Sequence, residues 1–149
     1  MPETEQNILK DLISGWVSLA LEYSKGAPDV TGIYVYAASE QGEKYANIFF
    51  EQDGLLDYPS KLKGVNANVE LIRRVHQLQI EDLRVAESQF SAAGVPAPTE
   101  YRIFYDPSSG RMETSLSREV KFSNHPTKIM ENGPEDWLGD RLPKLFDVS

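Results

Sequence analysis

The stretch "YRIFYDPSSGRMETSL", residues 101–116, alternates aromatic and apolar residues with polar ones, breaks, and alternates again. Tyr101, Ile103 and Tyr105 fall on one face of a first strand, because side chains in an extended chain point alternately to opposite sides. Met112, Thr114, Leu116, Val120 and Phe122 continue that period to about residue 122, interrupted only by Arg118. Between the two runs, Asp106 can open a turn, Pro107 fixes φ near the value its second position needs, and Gly110 accepts a positive φ. The stretch therefore reads as a β-hairpin.

The same grammar appears earlier. "GIYVYAA" (32–38) and "KYANIFFEQ" (44–52) are rich in β-branched and aromatic residues, and the glycine-containing "SEQGE" (39–43) joins them as a second hairpin. Asp53-Gly54 ends the second of these strands, and Pro59 and Gly64 predict an irregular connection over 55–64. Helices precede each hairpin. Ile8, Leu9, Leu12, Ile13, Trp16, Val17, Ala20 and Leu21 recur at spacings of three and four, with Thr4 as the expected N-cap and Gly26 and Pro28 as the stop. A longer helix is predicted over 67–93, capped by Asn66 or Asn68 and closed at Gly94. Its apolar stripe runs through Val69, Ile72, Val75, Leu78, Ile80, Leu83, Ala86 and Phe90.

The order helix, hairpin, helix, hairpin, tail is α+β: an antiparallel sheet of about four strands packed against two main helices. With 149 residues and no dividing linker, residues 1–149 form a single domain. Residues 123–149, with three prolines and two glycines, read as an irregular C-terminal tail containing a short helix near Pro134–Gly139. Trp137 is expected to pack back on the body.

Charge narrows the partners. The net charge is −8, and residues 1–57 hold ten acids against three lysines, whereas residues 58–149 are nearly balanced. Such a front repels nucleic acid and anionic membranes and favours a basic partner. The acidic, interrupted N-terminal segment lacks the basic start and apolar run of a signal peptide, so the expected location is cytoplasmic. Cysteine is absent, which removes disulfides, thiolate metal sites and a thiol nucleophile.

The reactive chemistries find little to work with. His76 and His125 are the only histidines and share no metal-ligand spacing, so no metal site is expected. Ser108 and Ser109 lie in no G-x-S-x-G elbow and have no histidine near them in sequence. "DPSSG" has one glycine, no following lysine, and leads into a strand, unlike a phosphate-binding loop. Neighbouring acids such as Glu81-Asp82 and Glu135-Asp136 do not face one another on a helix. The expectation is a binding protein with no catalytic residues and no cofactor.

The layout, an acidic N-terminal helix, the tyrosine-rich hairpin "GIYVYAASEQGEKYANIFFEQDG", the charged helix "VELIRRVHQLQIEDLRVAESQFSAAG" and the hairpin "EYRIFYDPSSGRMETSL", resembles the YezG-like immunity proteins of bacteria. The resemblance spans roughly residues 5–140, and its most specific piece is aromatic–x–aromatic–Asp followed by a Gly-containing turn. The chain departs from the family pattern in having no Trp in "APDVTG" (27–32) or "VPAPTE" (95–100). The resemblance implies an antitoxin that binds and neutralises a cognate secreted toxin, often a nuclease with a basic groove. Charge and loop position, rather than any family motif, select the candidate contacts: Glu40, Glu43, Glu51, Asp53 and Asp57, with Tyr45 and Tyr58 as aromatic anchors. Two other classes fit the same composition: an acidic dimeric secretion chaperone, and a small-ligand module with its site between sheet and helices.

Overall fold

β1 (Val30–Glu40) is the axis of the molecule: every residue from Gly32 to Glu40 is buried. It pairs antiparallel with β2 (Glu43–Gln52) on one side and with β4 (Glu100–Tyr105) on the other. β3 (Leu55–Asp57) and β5 (Met112–Ser117) close the edges, giving the order β3-β2-β1-β4-β5. The computed structural model describes residues 2–65, 68–123 and 125–142, with side chains from residue 4 onward.

The α+β class and element order match the expectation, with a fifth strand added. β3 occupies part of the segment expected to be irregular. Asp53 and Gly54 both take positive φ, +53° and +79°, the turn that matches the twist of a two-residue hairpin. Asp-Gly therefore turns the chain back onto β2 instead of merely ending it. Only Phe50, Glu51 and Gln52 find partners there, and Pro59 then opens a 3-10 turn.

Helix α1 (Pro2–Tyr23) begins before Thr4, which lies inside the helix and is not its cap. Proline suits a first turn because its missing N–H would be unpaired there anyway. Ile8, Leu12, Ile13, Trp16, Val17 and Ala20 of the predicted stripe are buried, Trp16 and Ala20 completely, whereas Leu9 is half-buried and Leu21 is exposed at the stripe's edge. α2 (Val69–Ala93) is capped by Asn68, whose Oδ1 accepts from Leu71 N at 2.8 Å; Asn66 lies outside the described residues. Gly94 ends it in the left-handed region. The buried face of α2 is Val75, Gln79, Leu83, Ala86 and Phe90, while Val69 is 69% exposed at its start. At the second hairpin, β5 stops at Ser117, short of the expected residue 122. Arg118 turns away to donate to Pro96 O and to pair with Glu5.

Alternation along the strands builds two cores. Ile33, Val35, Ala37, Ile48, Phe50, Tyr101 and Ile103 face α1 and α2. Tyr34, Tyr36, Ala38 and Phe49 face the opposite way, where Leu56, Phe122, Met130, Leu138 and Leu142 cover them. The C-terminal segment, with α3 (Gly133–Leu138) at its centre, is thus a third layer over the second face of the sheet. Trp137 packs there as expected, its ring centroid 5.7 Å from that of Tyr34.

A polar anchor and a close backbone contact hold this layer. Glu40, 4% exposed, accepts from Lys121 N at 2.7 Å, Phe122 N at 3.1 Å, and Ser123 N and Oγ at 2.8 Å each. Gly133 lies so close to Tyr36 that a Cβ there would fall 1.8 Å from the Tyr36 hydroxyl oxygen, so only glycine fits.

Candidate functional site

The seven candidate contacts do not form one surface. Glu40 belongs to the interior, its carboxylate consumed by the 121–123 backbone. Glu51 is paired with Arg141 at 2.6 Å and accepts from Thr31 Oγ1 at 2.7 Å. Tyr45 is half-buried beside Tyr36 and accepts from Asn47 Nδ2, and burial pushes its hydroxyl up to about 12. Tyr58 packs edge-on against Phe49 with centroids 5.3 Å apart. Glu43 is exposed at the β1–β2 tip, at the far end of β2 from Asp53, about 30 Å away by strand rise.

Asp53 and Asp57 do share a corner of the sheet, and Asp29 joins them. Asp53 N donates to Asp29 O at 3.4 Å, closing the open end of the β1–β2 ladder. Both aspartates hold left-handed backbone, φ +57° for Asp29 and +53° for Asp53. Asp and Asn tolerate that region better than other side chains. Both side chains are exposed, and among the described residues neither carboxylate has an ion-pair partner. Leu55, between Asp53 and Asp57, is 73% exposed. This corner therefore combines fixed negative charge with an open apolar side chain.

The groups that carry reactive chemistry elsewhere are engaged in structure. Asp106 accepts from Ser108 N and Oγ and from Ser109 Oγ, each at 2.9 Å, which holds its carboxyl down at about 2. His125 Nδ1 accepts from Thr127 N and Lys128 N, stabilising a turn. His76 Nε2 lies 2.9 Å from Asn47 Oδ1 between α2 and β2, and burial lowers its pKa. Asp82 is raised by burial first and by Glu81 second. Among the described residues no group of three or more His, Asp or Glu is placed to hold a metal ion. Nor is any described helix long and apolar enough to cross a membrane.

A recess of about 440 Å³ lies between β4, β5 and the C-terminal layer. Arg102, Arg111 and Arg141 line it together with Tyr34, Phe104 and Trp137. Sequence reasoning passed over these arginines. Period-two alternation places Arg102 and Phe104 on the face of β4 that carries Tyr34 on β1, but Trp137 and Arg141 arrive only when the C-terminal segment folds over.

No protein-family model matches the chain, and no curated protein is significantly similar to it in sequence.

Proposed function

We propose that the protein is an immunity protein, an antitoxin that binds and neutralises a cognate toxin whose surface is basic, such as a nuclease domain. The observation that carries this reading is the corner formed by Asp29, Asp53 and Asp57. Two of its residues hold left-handed backbone beside an exposed leucine, and among the described residues neither of these two is in an ion pair, with Lys61 and Lys63 lining the same recess as Asp53 and Asp57. A corner that combines fixed charge with one apolar anchor suits a basic groove: the charge speeds encounter, and the desolvated side chain supplies affinity. The acidic front of the chain and the resemblance to YezG-like immunity proteins support the same reading. Glu40 and Glu51 play no part in it, since both carboxylates are committed inside the fold.

Co-expression with the product of the neighbouring gene, followed by pull-down and a growth assay, tests the proposal. A complex and protection from toxicity are expected. The double variant Asp29→Asn, Asp53→Asn removes two charges while keeping residues that tolerate positive φ, and it should weaken the complex about tenfold or more. Absence of both complex and protection overturns the function. Undiminished binding by the double variant overturns the corner as its site.

A further inference from the structure

A concavity of about 590 Å³ runs along α2, but all its lining residues from Val69 to Arg84 belong to that one helix. It is a helix flank without an opposing wall. The recess between β4, β5 and the C-terminal layer is different, because three separate segments build it.

Its composition runs against the rest of the molecule. In a chain of net charge −8, three of the seven arginines line this one recess, and Glu113 is the one acid among the lining residues. Two of the three guanidiniums are held by aromatic rings. The Arg111 guanidinium carbon sits 5.2 Å from the centroid of Phe104, and that of Arg141 sits 5.2 Å from the centroid of Tyr34. A guanidinium stacked on a ring keeps its N–H edge free for an oxyanion and loses little rotamer freedom when it binds one.

Their existing partners leave capacity. Arg111 pairs with Glu113 at 3.3 Å, but both side chains are more than 60% exposed, and such pairs contribute about 0–1 kcal/mol. Arg102 lies against Glu100, with Nε 3.1 Å from Oε1 and Nη2 donating to Oε2 at 3.5 Å, which leaves its Nη1 edge without a bond among the described residues. Arg141 also holds Glu51 at 2.6 Å and donates to the Tyr34 hydroxyl at 2.9 Å, which fixes its position.

We infer that this recess binds a small organic oxyanion, a phosphate or carboxylate carried on a planar group, between Arg102, Arg111 and Arg141 with Tyr34, Phe104 and Trp137 around it. The volume lies within the range of small-molecule sites, and convergent polar groups on an aromatic lining are their usual composition. A polyanion such as nucleic acid is disfavoured by the surrounding negative charge, whereas a compact anion meets chiefly the charges that line the recess.

Calorimetric titration of the full chain with inorganic phosphate, AMP and benzoate tests the inference. Binding of at least one probe below about 10 mM is expected. AMP binding without phosphate binding assigns an organic phosphate, and benzoate binding without either assigns a carboxylate. Arg111→Gln, an exposed change, should weaken the bound probe about tenfold and leave the unliganded melting temperature unchanged. Arg74→Gln on α2 should change neither. Failure of all three probes overturns the site, as does equal binding by Arg111→Gln. An equal loss in Arg74→Gln would also overturn it, by showing that the probes respond only to net charge.

Discussion

The Tyr36 hydroxyl donates to Glu100 Oε2 at 2.7 Å, and both residues are buried at the centre of the second face of the sheet. Lys121 Nζ reaches the other carboxylate oxygen at 2.8 Å, and Arg102 flanks it. Desolvation first and the Glu100 hydrogen bond second raise the Tyr36 pKa far above that of a free tyrosine, so it remains a donor throughout the range in which the fold is stable. This donor–acceptor pair marks the place where the C-terminal layer meets the sheet, because Gly133 rests on the same hydroxyl.

Gly133→Ala therefore introduces a methyl group where the Tyr36 oxygen already is. Either the tyrosine leaves Glu100, or Gly133–Leu138 lifts from the sheet. The cost should be about 2–4 kcal/mol, combining overpacking with a lost charge-assisted bond. Denaturant unfolding measures it, and Trp137 fluorescence in the native baseline should shift toward that of a solvated indole. Tyr36→Phe retains the ring and should cost less, about 1.5–3 kcal/mol.

Glu40 is the second attachment. Burial alone would raise its pKa, but bonds from Lys121, Ser123 and Phe122 outweigh burial and hold the folded value below that of a free glutamate. The unfolded state then takes up protons first as pH falls. The stabilisation from Glu40 is complete above its unfolded value, about 4.3, and disappears as pH drops through the lower folded value. Glu40→Gln should destabilise by about 1.5–3 kcal/mol at neutral pH and flatten the stability profile below pH ~4.5. Melting temperatures of the two proteins, compared from neutral pH downward, should converge at the acid end.

These attachments explain which parts of the molecule were legible in sequence. Strand alternation in 101–116 and the apolar stripes of α1 and α2 are local patterns, and the fold follows them closely. Glu40 reads as a surface acid because it abuts a hairpin turn. What buries it is the 121–123 backbone, some eighty residues further along. The arginine recess has the same origin, joining Tyr34, Phe104, Arg111 and Arg141 across more than a hundred positions. β3 was missed for a different reason. A three-residue strand shows no period, and its one signal, Asp53-Gly54, also serves to end a strand.

His76 should confer a second, milder pH dependence. Burial between α2 and β2 disfavours its charged form and lowers its folded pKa. The unfolded chain, titrating near 6.5, therefore binds the proton first. Stability from the neutral imidazole is fully present above about pH 6.5 and declines as pH falls toward the folded value. His76→Gln keeps a polar group opposite Asn47 and cannot titrate, so the melting temperature should lose its slope between about pH 6.5 and 5. A slope unchanged in the variant would place this dependence on other groups.

Gln79 presents the opposite case, a polar side chain whose removal should be tolerated. It is completely buried on α2, and Nε2 donates to Tyr36 O and Asn47 O, each at 3.2 Å. Both carbonyls belong to residues paired across the β1–β2 ladder, so neither depends on Gln79 as its sole structural tie. Oε1, by contrast, has no hydrogen-bond partner among the described residues, and a buried acceptor without one costs about 1–3 kcal/mol. Trp16 Nε1 donates to the Gln79 backbone oxygen at 3.1 Å, a bond that no side-chain substitution removes. Gln79→Met keeps the length of the side chain and exchanges two bonds to shared acceptors for relief of one orphan. Stability should move by less than about 1 kcal/mol in either direction, in contrast to the loss expected for Gly133→Ala. A loss above about 2 kcal/mol on denaturant unfolding would show that Oε1 has a partner, such as an ordered water bridging it to the sheet.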